Sequence, residues 1–110
     1  MSAYLENFSD RKSIEDAYQC EIPAEAEILL AWYGYGDYCG SSLVIFRRNG
    51  ELYEVNGGHC SCTGLEDQWE PEKTTTAALR TREFYDHYDG VNEAKRQLNE
   101  LCDSLDKAKA

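Results

Sequence analysis

The dipeptide Asn49-Gly50 in "SLVIFRRNGELYEV" constrains this chain more than any other feature. It stands between two apolar runs, and both central residues of a tight hairpin turn need positive φ, which Asn and Gly tolerate best. A two-residue turn sets the register of everything that follows. Arg48 then faces Glu51, Phe46 faces Tyr53 and Val44 faces Val55, all on one side of the ribbon. That side is the better core face. Leu43, Ile45, Arg47, Leu52 and Glu54 share the other, a mixed face expected to be partly covered.

The flanking segments fill in a small domain. "AEILLAWYGYG" is rich in β-favouring aromatics and predicts a strand from about Glu27 to Tyr33, ended by Gly34 and Gly36. "GDYCGSS" reads as a loop. Ser13, followed three residues later by Asp16, resembles a capping box and predicts a short helix to about Cys20, closed off by Pro23. Residues 1–12 read as a mobile or loosely docked arm. "TTTAALRTREFYDHY" predicts a helix with contacts from Leu79, the Arg82 stem, Tyr85 and Tyr88. Val91, Ala94, Leu98, Leu101, Cys102, Leu105 and Ala108 recur at helical spacing, with Asp89 placed to cap the start. Such a stripe is core packing far more often than a partner groove. The expected architecture is a single α+β domain over residues 1–110. A small antiparallel sheet of about three strands, built on the hairpin 43–55, packs against C-terminal helices.

Composition bounds the function. With 110 residues, 29% charged and 42% hydrophobic, the chain suits one folded core. No apolar run approaches the roughly 18 residues of a membrane span. The first residues lack a signal-peptide pattern, so a cytoplasmic protein is expected. Five cysteines, an odd number, fit a reducing compartment. Cys20, Cys39 and Cys102 read as small buried hydrophobes. The 21 acidic against 11 basic side chains leave a net charge of −10. That balance works against direct binding of nucleic acid or anionic membrane. It favours a partner with a basic surface and salt-sensitive association, with plain solubility as the competing explanation.

"NGGHCSC" raises the question of chemistry. His59, Cys60 and Cys62 are apt zinc ligands, but the spacing is poor. Neighbours in an extended chain diverge, and Cys60 and Cys62 would have Cα atoms about 6.6 Å apart. Two thiolates on one zinc need sulfurs about 3.8 Å apart, hence the usual C-x-x-C grip. A fourth ligand would have to come from Cys39, Cys20, Cys102 or His87. A nucleophilic Cys60 or Cys62 would need His59 or His87 as base, and the acids nearby would raise a thiol pKa. No catalytic residue is assigned, and the reading leans away from an enzyme. The better-supported alternative is structural. Parity past Val55 sends Gly57 and His59 toward the core face, and an anchored connection follows, with the His59 nitrogens bonded to backbone and Trp69 buried nearby. The acids Glu66, Asp67, Glu70, Glu72, Glu83, Asp86 and Asp89 are the candidate partner-binding surface. A merely solvated face is the bland alternative.

At "GELYEVNGGHCSCTGLEDQWEPE" the sequence resembles a family of small acidic bacteriophage and prophage proteins with an LYEV-G-HCSC-GLE-QWEPE core. The resemblance covers roughly residues 27–79, and this chain has Gly58 where the family carries Ser. No catalytic residues come with it. It implies a phage origin and a host-takeover or anti-defence role inside the bacterial cell. One such class is the anti-CRISPR proteins, which commonly act by occluding a surface.

Overall fold

The hairpin forms in the register its turn dictates. The computed structural model describes residues 3–36, 38–59, 64–84 and 88–109. Strands β3 (Cys39–Arg48) and β4 (Glu51–His59) pair antiparallel, with Val44 opposite Val55, Phe46 opposite Tyr53 and Arg48 opposite Glu51. Asn49 and Gly50 both hold positive φ, 53° and 78°. Strand β2 (Glu27–Gly36) extends beyond Tyr33 and pairs with β3 as far as Gly36 opposite Cys39. Most of the segment expected as a loop is therefore strand. Its Gly and Ser residues have weak β preference of their own, but their backbone bonds are supplied by the neighbours.

The class is α+β, as expected, with a five-stranded, mostly antiparallel sheet. Two strands escaped the sequence reading. β1 (Ala3–Glu6) pairs parallel with β2, setting Ala3 opposite Leu30 and Glu6 opposite Tyr33. Residues 3–12 are therefore not an arm. Phe8 pins them down, buried against the rings of Tyr18 and Tyr33. β5 (Glu72–Lys73) is a short edge paired with Tyr53 and Glu54 of β4.

Helix α1 (Arg11–Tyr18) begins before Ser13. Asp10 is the N-cap: its carboxylate accepts from the Ser13 N–H, and the Ser13 hydroxyl accepts from the Asp10 N–H. The box is thus closed by Ser13 in its last position, not its first. Gln19, in the left-handed region at φ 55°, ends the helix ahead of Pro23. The long helix expected after Thr74 shrinks to α2 (Thr76–Leu79), capped by Thr75. Beyond it, tertiary contacts hold the chain: Arg82 reaches Glu54, and Phe84 and Tyr88 stand edge-on to Trp32. Tyr85 lies outside the described residues. α3 (Val91–Lys109) follows the predicted stripe, with Val91, Ala94, Leu98 and Cys102 buried. Its first backbone bond runs from Ala94 to the Gly90 carbonyl, so the cap position is Gly90 and not Asp89.

Both faces of the sheet are core, which corrects the expectation of one main face. Val44, Phe46 and Val55 join Ile14 and Tyr18 of α1, together with Phe8, Ile22 and Leu65. Leu43 and Ile45 join Leu79 and the α3 stripe on the other side. A bulge in β2 between Ile28 and Leu30 sends Leu29 and Leu30 to the same face. "EILLAWY" shows no simple alternation for that reason, and because a strand covered on both sides has no polar face to alternate with.

Candidate functional site

The stretch after β4 is anchored by three side chains. Leu65 is buried in the α1-side core. Trp69 stacks on Phe46 at 5.9 Å and meets Tyr18 edge-on at 5.2 Å. Gln68 clamps the free edge of β4: its Oε1 accepts from the Gly58 N–H and its Nε2 donates to the Gly58 carbonyl, each at 2.9 Å. The same amide also donates to the Gly64 carbonyl. One side chain thereby does what a neighbouring strand would do, protecting an edge that β5 is too short to cover. Gly57 is bare for a packing reason, since a Cβ there would sit 2.7 Å from the Tyr18 hydroxyl. That hydroxyl donates to Ser42, and burial pushes Tyr18 up to about 12 despite the bond. At Gly58 the nearest atom to an added Cβ is 3.4 Å away, ordinary contact, so the position can carry a side chain. Leu65, Gln68 and Trp69 of the "GLE" and "QWE" pieces are accordingly scaffold.

His59 pairs with Gly40, and its ring lies over the space that a side chain on Gly40 would fill. It stands edge-on to Tyr33 at 5.6 Å and to Tyr35 at 5.7 Å. Its nitrogens were expected to bond backbone. Instead both are buried with no hydrogen-bond partner among the described residues. Burial, followed by the neighbouring Tyr35, holds the Tyr33 phenol above its ordinary value.

Of the other candidate ligands, Cys102 belongs to the opposite core, where its thiol meets the Thr76 carbonyl at 3.8 Å. The sheet separates it from His59. Cys20 is half-buried behind α1, and burial and then Glu15 push its thiol up. Cys39 is half-buried next to Gly40. Cys60, Cys62 and His87 lie outside the described residues. Among the described residues no group of three or more His, Cys, Asp or Glu could hold a metal ion.

The candidate acids fall into two groups. Glu66, Asp67 and Glu70 are exposed on the segment that Leu65 and Trp69 fasten to the α1-side core. Glu83 and Asp89 are exposed beside Phe84 and Tyr88, which pack on the α3-side core. Glu72 is exposed on β5, and Asp86 is outside the described residues. The ion pairs of the described residues engage other acids: Asp16, Glu25, Glu27, Glu51, Glu54, Glu93, Glu100, Asp103 and Asp106. None of them uses Glu66, Asp67, Glu70, Glu72, Glu83 or Asp89.

Sequence reasoning missed the pairing of a buried carboxylate with a partly exposed arginine. Glu54, 2% exposed, receives Arg82 in a fork, Nε to Oε1 at 2.6 Å and Nη2 to Oε2, and also Asn56 Nδ2 at 2.7 Å. Glu54 shares the mixed face of the hairpin with Leu43, Ile45 and Leu52, which was the available signal. Its partner, 28 residues away, left none.

No protein-family model, curated protein or solved structure matches this chain.

Proposed function

We propose that this chain is a non-enzymatic inhibitor of phage type, which binds a host protein and covers a basic, nucleic-acid-binding surface such as that of a CRISPR or other defence effector. The observation that carries the reading is the charge arrangement. The net charge is −10, and the described cations are largely spent on acids elsewhere. Glu66, Asp67, Glu70, Glu72, Glu83 and Asp89 are left exposed and outside the ion pairs. Carboxylates so placed can stand where phosphates would sit. The phage resemblance supports the same direction. Immobilised protein should capture a basic host protein from bacterial lysate at low ionic strength and release it in molar salt, where the Debye length falls to about 3 Å. Capture indifferent to salt, or no specific capture at low salt, removes the electrostatic reading.

A second reading, zinc held by His59 with Cys60 and Cys62, has one observation in its favour, the two unpartnered ring nitrogens of His59. It predicts close to one equivalent of zinc in purified protein and a melting temperature lowered by chelator. Less than about a tenth of an equivalent, with no chelator effect, rules it out.

A further inference from the structure

The sheet has two unlike ends. At the β3–β4 end stand Arg47, Arg48 and Lys73, paired with Glu27, Glu25 and Glu51. At the β2–β3 end the described charges are acidic. Glu6 lies opposite Tyr33 with its side chain against Gly90, and the Asp89 N–H donates to the Tyr35 carbonyl. Neither Glu6 nor Asp89 enters an ion pair among the described residues. The same end carries Tyr35, 46% exposed, and Tyr38, 87% exposed, the exposed large hydrophobics of the described chain.

Tyr38 is poorly explained by folding. It is the last residue of the two-residue connection between Gly36 and Cys39, and it holds φ 67°. A bulky aromatic is costly in that left-handed region, and Gly is the cheap solution. The chain uses that solution at its other hairpin, where Gly50 has φ 78°. At 87% exposure, the Tyr38 ring gains almost nothing from its own core in return. A strained, exposed aromatic at a turn is the mark of a group kept for contact.

We propose that this turn anchors the partner interface: the Tyr38 and Tyr35 rings pack against arginine and lysine side chains of a basic protein surface, while Glu6 and Asp89, at the same end on the α3 side of the sheet, add longer-range attraction for that surface. Tyrosine faces attract cations, and flanking carboxylates add to that attraction. The inference rests on the basic-partner reading above and places its centre at the β2–β3 turn.

The test is titration of the full chain with a synthetic arginine-rich peptide at low salt, using wild type, Tyr38→Gly and a Glu100→Gln/Asp103→Asn control, two exposed α3 acids outside the proposed partner surface that pair with Arg96 and Arg80. Tyr38→Gly should melt at or above the wild-type temperature, since Gly relieves the turn, yet bind at least about tenfold more weakly. The control should stay within about twofold, since it removes charge from an exposed face that the proposal leaves out of the interface. Equal binding by wild type and Tyr38→Gly overturns the anchor while leaving the basic-partner reading standing. No binding by wild type overturns both. A wild-type dimer in sedimentation that Tyr38→Gly dissolves would assign the turn to a second copy of this chain and overturn the basic partner.

Discussion

Replacing Arg82 with Ala should destabilise the fold by about 3–5 kcal/mol at neutral pH, because it strands a buried carboxylate. A domain of this size holds roughly 5–15 kcal/mol in total, so the variant should be close to unfolding at physiological temperature. The pH dependence identifies the cause. Burial works against the Glu54 carboxylate, but the bonds from Arg82 and Asn56 outweigh it and hold the group below its ordinary 4.5. A depressed carboxyl contributes stability that is fully present above the unfolded value and lost as pH falls through the lower folded one. In Arg82→Ala burial acts with less opposition, and the folded carboxyl rises. That variant is relatively better off in acid and loses stability as pH rises through the raised value. The gap between wild type and variant, read from urea unfolding, should therefore be widest near pH 7 and shrink toward pH 4. Glu54→Gln in the Arg82→Ala background should recover much of the loss. A gap that stays constant with pH would place the defect in packing instead.

Trp32→Ala should cost a similar amount, about 3–5 kcal/mol. The ring is buried, with Phe84 and Tyr88 edge-on at 5.6 and 6.4 Å, and its Nε1–H donates to the Asp89 carbonyl at 2.9 Å. Asp89 in turn donates its N–H to the Tyr35 carbonyl. Trp32 thus ties the entry of α3 to the β2–β3 end of the sheet, where the proposed anchor lies. Trp32→Phe keeps most of the packing and loses the hydrogen bond, which should cost about 1–3 kcal/mol. Denaturant midpoints of the two variants separate the terms. Equal losses in Ala and Phe would mean that the bond to Asp89, and not the buried area, dominates the site.

The legible parts of this fold are those encoded by neighbours in sequence. Asn49-Gly50 and the parity of its flanks determined the hairpin register residue by residue, and the α3 stripe determined which helix face is buried. The N-terminal strand was not legible. Four residues with no strong pattern become β1 only because Leu30 to Tyr33 offer an open backbone edge and Phe8 finds a pocket. The same holds for "GDYCGSS", whose strand character comes from its partners. Helical preference after Thr74 gave way at Leu79, where contacts with Glu54 and Trp32 take over from helical turns.

The candidate site divides in the same way. Composition by itself determined a strongly acidic chain, and the one-residue spacing of Cys60 and Cys62 spoke against an ordinary zinc grip. Only the tertiary structure decided which described acids are left outside ion pairs, that Gln68 and Trp69 are scaffold, and that Tyr35 and Tyr38, among the described tyrosines, face outward. The reason is physical. Turn chemistry and periodicity act over a few residues, whereas exposure and charge pairing depend on where distant strands and helices bring their side chains together.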